Sequence, residues 1–311
     1  MNTKIYFAPM EGVGNYIYRN SYNQVFGNVD KYFAPFIYAG PNGIRNMKET
    51  KDILPENNEG INLVPQLLSN NSDAFFDAAK IITEYGYSEV NLNAGCPSKT
   101  VTTKGRGAGI LIDTEKYENF LYEIFNKCTS LNIKLSIKTR IGYENPEEFF
   151  ELMEIYNKFP IYELIIHPRT RNDLYKEKIN YDAFKYGYDN SKNDVCYNGD
   201  ITNLSIYNSI ITKYSKISSV MIGRGLLMNP DLINQIRNNT EKIDIKKNLL
   251  FADILFDNYR KIIKEDNNLI FKLKEVWLYL VNSYENNAKL IKKIKKIKNI
   301  NEYKSFIREL N

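Results

Sequence analysis

The chain has 311 residues, of which 43% are hydrophobic and 25% charged, with a net charge of +5; that length builds one large domain or two around a proper core. No run of eighteen or more apolar residues occurs, so nothing in the sequence reads as a membrane-spanning helix. Three cysteines without a close pair argue against a disulfide framework and a four-thiolate zinc site, and the single histidine, His167, excludes any metal site that needs two imidazoles.

Short β-branched or aromatic runs alternate with helical patterns along most of the chain. The runs fall at residues 4–8, 32–36, 62–67, 88–92, 134–139, 163–167, 194–197 and 219–222. Apolar residues at helical spacing occupy 15–26, 72–85, 114–129, 146–158 and 201–214. Ser72 is a candidate N-cap of the second helix, Gly86 suits the left-handed position after it, and Pro146 suits the first turn of the fourth. No clear helix appears at 40–60, and 181–188 is only a Tyr-rich patch. Eight strand candidates alternating with helices predict a parallel α/β sheet closed as a (β/α)8 TIM barrel. The rival is a doubly wound open sheet, which wants a Gly-rich turn after the first strand; Met10-Glu11-Gly12-Val13-Gly14 is a faint version of one.

From about Asn239 the alternation stops and helical patterns take over at 246–264, 269–284, 288–298 and 301–310, with Trp277 and Leu280 in a small core. The expected division is a catalytic barrel at 1–238 and an all-α C-terminal domain at 239–311. Residues 239–311 hold 16 Lys and Arg against 10 Asp and Glu, a net of +6, which leaves −1 for the rest. A basic helical appendage on a neutral body is the footprint of a polyanion binder, although drift in an Asn/Lys/Ile-rich proteome gives the same count. Residues 1–9 run straight into a strand pattern without the zones of a signal peptide, so a cytoplasmic protein is expected.

In such a barrel the active site forms at the C-terminal strand ends and the loops after them. Those ends carry Pro9 and Met10, Pro35, Gln66, Asn93 with Cys96 beyond, Lys138 with Arg140, His167 with Arg169, Asn198-Gly199-Asp200, and Gly223-Arg224-Gly225. The last two groups sit after strands 7 and 8, where a phosphate commonly binds; their glycines allow close backbone approach and Arg224 adds charge. Lys138 could stabilise negative charge on a cofactor ring or substrate, or simply snorkel to water. Cys96 has no neighbouring histidine to activate it, and an ordinary thiol stays mostly protonated near neutral pH, which suits a proton donor better than a nucleophile. The bland alternative is a small buried hydrophobe. About twenty residues follow it before the next helix, and with Lys99, Lys104 and Arg106 they read as a mobile flap over a polyanion.

Together the pieces resemble the tRNA-dihydrouridine synthases. FAPMEGV (7–13), Gln66, NLNAGCPS (91–98) with GAGIL (107–111), SIKTRIG (136–142), HPRT (167–170), NGDI (198–201) and MIGRG (221–225) follow in the family's order. The resemblance covers nearly the whole chain and implies an FMN enzyme that reduces uridine in RNA, with NADPH or NADH as reductant. It implies Cys96 as the general acid at carbon 5 of uracil and Asn93 as a holder of the base. Pro9, Met10, Gln66, Lys138 and His167 would contact the flavin, and Asn198, Gly199, Asp200, Gly223 and Arg224 would surround its phosphate. Arg140 and Arg169 are read as substrate contacts at the rim, with a structural ion pair equally compatible. Pro168 stands where the family usually has a small residue, and Asn91 where many members have Asp. A monomer acting on tRNA, without metal or membrane, is expected. The competing readings are ribosomal RNA as substrate, a dihydroorotate dehydrogenase-like FMN barrel for a small molecule, and an RNA-binding barrel without catalysis.

Overall fold

The structure, a computed structural model, describes residues 3–41, 43–44 and 50–310. In chain order the first half comprises β1 (Lys4–Phe7), α1 (Tyr16–Val25), β2 (Lys31–Phe33), β3 (Ile37–Gly40), β4 (Gly43–Ile44), β5 (Leu63–Val64), β6 (Gln66–Leu68), α2 (Ser72–Glu84), β7 (Glu89–Ala94), α3 (Lys99–Thr102) and α4 (Thr114–Cys128). There follow β8 (Lys134–Arg140), α5 (Glu148–Tyr156), β9 (Leu164–His167), α6 (Tyr181–Asn190), β10 (Val195–Tyr197), α7 (Leu204–Lys213), β11 (Ser219–Ile222), α8 (Arg224–Met228) and α9 (Leu232–Asn238). The C-terminal helices are α10 (Ile245–Ile262), α11 (Asp266–Leu280), α12 (Asn287–Lys296) and α13 (Ile300–Arg308).

The sheet is parallel except for the small β3–β4 hairpin, and it closes. β1 pairs with β11 on one side and β2 on the other, while β6, β7, β8, β9, β10 and β11 pair in turn. The remaining two barrel strands are each broken by a proline. Pro35 divides β2 from β3 and Pro65 divides β5 from β6; β2 then pairs with β5, and β3 with β6. A proline cannot donate to the ladder, which is why each run splits rather than continuing. The expected barrel is therefore present, with strands two and three interrupted. A side-chain period of two sorts the strand residues into two layers. One large core lies between sheet and helices; a small one inside the barrel holds Tyr6, Ala8, Phe33, Val64, Ile165, Cys196 and Met221.

Local boundaries differ from the sequence reading where a better cap competes. Asn71, in extended backbone, accepts from Ala74 N at 2.8 Å and caps α2, so Ser72 becomes its first residue and donates to Glu123 instead. Gly86 has φ +88, as expected after that helix. Pro146 lies in a turn ahead of α5, where Glu148 gathers the N–H groups of Tyr143, Glu144 and Asn145. The Tyr-rich patch is a full helix, α6, capped by Asn180. Within 40–60, β4 and a 3-10 turn at Pro55–Asn57 are formed, and 45–49 lie outside the described residues.

The C-terminal helices pack against α1. Phe251 on α10 meets Tyr18, Phe26 and Tyr22 edge-on at ring distances of 5.4, 5.6 and 6.4 Å. Asn258 donates to Ser21 Oγ (3.0 Å) and Tyr259 to Asn15 Oδ1 (3.1 Å). Trp277 donates to Tyr303 OH (3.0 Å) and packs on Phe306 within the helices themselves. Phe251→Ala removes the ring that fills this seam and should cost about 3–5 kcal/mol in urea unfolding. A loss below about 1 kcal/mol would show that the seam is held by something else.

Candidate active site

The residues expected at the strand ends do converge, and period-two geometry explains why. Gln66 follows Val64 on the inner face of its strand, His167 follows Ile165, Asn198 follows Cys196 and Gly223 follows Met221. Asn93 and Lys138 take the matching places on β7 and β8, where they are paired in register. The barrel mouth is thus lined by the last inward-facing residue of each strand. Pro9 and Met10 lie half-buried in the loop after β1, whose Met10 carbonyl accepts from Gly14 N at 2.7 Å.

Cys96 sits one turn beyond β7 and is half-buried, unlike Cys128 and Cys196, which are fully buried core thiols. The Asn93 carboxamide fixes its loop, with Oδ1 accepting from Gly95 N (3.1 Å) and Cys96 N (2.9 Å). Burial raises the Cys96 thiol above its ordinary range, and the backbone N–H of Ser98 with the charges of Arg140 and Lys138 only partly offsets this. It remains a thiol at neutral pH. Gly107 closes over it with φ +54; a Cβ there would come within 2.9 Å of Cys96 Cβ. The segment after Cys96, the expected flap, is folded. Ala108 N donates to Cys96 O, Thr102 N to Ser98 O, and a 3-10 helix runs Gly107–Ile112. Arg106 lies over the Tyr38 ring (4.2 Å), and Asn70 donates to Lys104 O.

Positive charge dominates the rest of the mouth. Lys138 has no ion pair or hydrogen bond among the described residues; burial, and next Arg140, depress its ammonium to about 8. His167 is buried and held well below its usual range, first by desolvation and then by Arg140, Lys138, Arg169 and Arg224. Its Nε2 lies 3.2 Å from Arg169 Nη1. A guanidinium can only donate, so Nε2 accepts and Nδ1 carries the proton of a neutral ring.

Arg140 and Arg169 differ from the expected rim contacts. They are 1% and 2% exposed, because each is used to tie loops together. Arg140 donates to Gly95 O (2.9 Å) and Thr170 O (2.7 Å), which leaves its Nη2 without a partner. Arg169 donates to Glu177 O (2.6 Å) and forms a forked ion pair with Asp200, the structural alternative. Asp200, with φ +37 in the turn after Gly199, also pairs with Arg224 at 2.6 Å. Its carboxylate therefore organises two guanidinium groups and cannot itself donate to a phosphate. Tyr175 escaped the sequence reading because it stands in a charged loop outside any strand end. Its ring stacks on His167 (5.9 Å) and lies near the guanidinium groups of Arg224 (4.7 Å) and Arg140 (5.2 Å).

A flavin phosphate or ring anion is chemically matched by this set. Lys138 offers an uncompensated, half-buried cation, and Gly225 brings the backbone so close that a Cβ would lie 2.0 Å from Ile201 O. Among the described residues no cluster of three or more His, Cys, Asp or Glu side chains could hold a metal ion, and no helix is long and apolar enough to cross a membrane.

A parallel eight-stranded barrel whose mouth gathers cations beside a protonated thiol is a frame that can hold an anionic group. Solved structures agree on the frame. The old yellow enzyme from Trypanosoma cruzi superposes with a TM-score of 0.56 at 10% identity, over 78% of this chain and 89% of that one. Morphinone reductase gives 0.55 at 12%, over 80% and 89%. The chain belongs to the dihydrouridine synthase family, whose model matches residues 6–308. It is 28% identical to tRNA-dihydrouridine synthase B of Pasteurella multocida (strain Pm70) over 79% of this chain and 72% of that protein. To the tRNA-dihydrouridine(16) synthase of Shigella flexneri it is 26% identical, over 95% of both.

Proposed function

We propose that the protein reduces the 5,6 double bond of a uracil in tRNA to dihydrouridine, with FMN in the barrel mouth and NADPH or NADH as the reductant. The observation that carries this reading is the Cys96 thiol, kept protonated by burial and fixed by Asn93 beside the unpaired ammonium of Lys138. Bound flavin supplies the hydride for carbon 6 of the base. Cys96 Sγ then gives its proton to carbon 5, and the nearby charges of Arg140 and Lys138 favour the thiolate left behind until solvent reprotonates it. Asn93 spends Oδ1 on its own loop and one Nδ2–H on Gln66 (2.8 Å), so its second Nδ2–H remains for a uracil carbonyl. Pro9, Met10 and His167 would line the flavin's edge, whereas Gln66, fully buried and bonded at both amide ends to Asn91 and Asn93, has no free face for it; Asn198, Gly199, Gly223 and Arg224 would surround the phosphate, with Asp200 holding Arg224 in place.

The helices at 239–311 are proposed to bind the RNA. A groove of about 640 Å³ runs between them and the barrel rim, lined by Tyr16, Phe36 and Tyr259 with Lys51 and Lys272 and also by Glu11 and Asp52. On α12 the lysines face outward while Ile294 is buried. The Shigella flexneri relative, matched over 95% of its length, is named tRNA-dihydrouridine(16) synthase, so that uridine is the first candidate target. A cytoplasmic site of action follows from a tRNA substrate.

The test is to incubate purified holoprotein and NADPH with unmodified tRNA and ribosomal RNA, then analyse digests by mass spectrometry. A gain of two hydrogens on one tRNA uridine is expected. Product only on ribosomal RNA, or turnover only of a free pyrimidine, would sink the tRNA reading.

A further inference from the structure

We infer that Glu89, on the barrel floor, sets the direction of a hydrogen-bond relay that holds Asn93 and the Cys96 loop in their working orientation. The relay runs along the inner face of β7 and its two neighbours. Ser136 Oγ donates to Glu89 Oε1 (2.8 Å), and Asn91 Nδ2 donates to Ser136 Oγ (2.9 Å). Gln66 Nε2 donates to Asn91 Oδ1 (2.7 Å), and Asn93 Nδ2 donates to Gln66 Oε1 (2.8 Å). Asn93 Oδ1 finally accepts the backbone N–H groups of Gly95 and Cys96. From Glu89 to Asn93 this covers four residues of strand, about 13 Å.

The members between the ends are amides and a hydroxyl, each able to point either way. Only the ends have a fixed sense. A carboxylate can only accept, and a backbone N–H can only donate, so Glu89 at one end and Cys96 at the other force one polarity on everything between them. Lys31 pairs with that carboxylate at 2.7 Å and reaches toward Glu163, which is itself bonded to Tyr6 and Ser219. Gln66, Asn91 and Ser136 are fully buried, so no water competes for these bonds. A barrel interior filled with apolar side chains would be at least as stable as a buried polar chain. Its geometry points instead to positioning. If the relay inverted, Asn93 would turn its NH2 toward the Cys96 N–H and release the loop that carries the thiol. Glu89 and Ser136 are positioning residues, since neither touches the thiol.

The consequence for turnover rests on the proposed role of Cys96, but the position of the thiol can be read without RNA. Glu89→Gln leaves the Gly95 and Cys96 N–H groups as the only fixed end of the relay, and Ser136→Ala cuts the relay while sparing the ion pair of Glu89 with Lys31. Iodoacetamide labelling of the holoproteins near neutral pH is followed peptide by peptide, with the buried Cys128 and Cys196 reporting an intact fold by staying unlabelled. Both variants should label Cys96 about fivefold or more faster than the parent, and kcat for tRNA should fall about tenfold with KM unchanged. Labelling of Cys96 within twofold of the parent in either folded variant overturns the inference. If the parent reduces no uridine at all, the tRNA reading fails while the labelling comparison still decides the relay.

Discussion

Cys96→Ala should lower dihydrouridine formation by about 10²–10⁴-fold while flavin content and tRNA affinity stay at the parental level. That is the range a positioned general acid contributes, and no other thiol can substitute, because Cys128 and Cys196 are buried in the core. A serine in its place should do little better, since a hydroxyl is a far weaker acid than a thiol. The pH dependence has a definite sign. A proton donor works only while protonated, so the parental rate should stay level through neutrality and fall as pH rises through a thiol pKa that lies above the ordinary 9.0. Single-turnover rates measured from about pH 6 to about pH 10 read this directly. An alkaline limb that survives in Cys96→Ala would assign it to another group.

The second large effect is expected at Lys138. An ammonium depressed from 10.5 to about 8 carries a folding cost of roughly 3 kcal/mol at most, less what its opening toward the mouth screens. Below about pH 8 the folded apoprotein bears that cost in full. Between about 8 and 10.5 the unfolded chain holds more protons than the folded one, so stability should rise with pH across that window. Lys138→Met should abolish the rise and lift the apoprotein's Tm by a few degrees below it, while flavin retention drops about tenfold or more through loss of the charge. Calorimetry of the apoprotein and fluorescence of released flavin measure the two halves separately. A variant that keeps its flavin and gains no stability would show that Lys138 is a solvated surface amine.

Both predictions concern residues legible in the sequence, yet their neighbours were not equally legible. The strand-end rule works here because the period of two places the final inward residue of each strand at one mouth, whatever the chain does elsewhere. It placed Gln66, Asn93, Lys138, His167 and Asn198 at one end of the sheet from spacing alone. It could not choose between the two readings left open for Arg140 and Arg169, which have the same positional credentials but are buried bracing the Gly95, Thr170 and Glu177 carbonyls. Spacing reports which face a residue occupies and not which partner has already taken its donors. Tyr175 was missed for the opposite reason: it reaches the mouth from a loop, where no periodicity exists to point at it.

The sequence by itself determined the alternation of eight strand runs with helices, the helical and basic tail, and a thiol without a neighbouring histidine followed by a Gly-, Thr- and Lys-rich stretch. Those follow from local propensity, period and composition. Only the tertiary structure decided that Pro35 and Pro65 break two staves without opening the barrel, because closure depends on which segments pair across the gap. Only it joined Glu89 to Cys96 through Ser136, Asn91, Gln66 and Asn93, since each link crosses between strands or turns back along one. Hydrogen-bond direction is a property of a whole connected path, fixed at its ends. No stretch of sequence contains both ends together with everything between them.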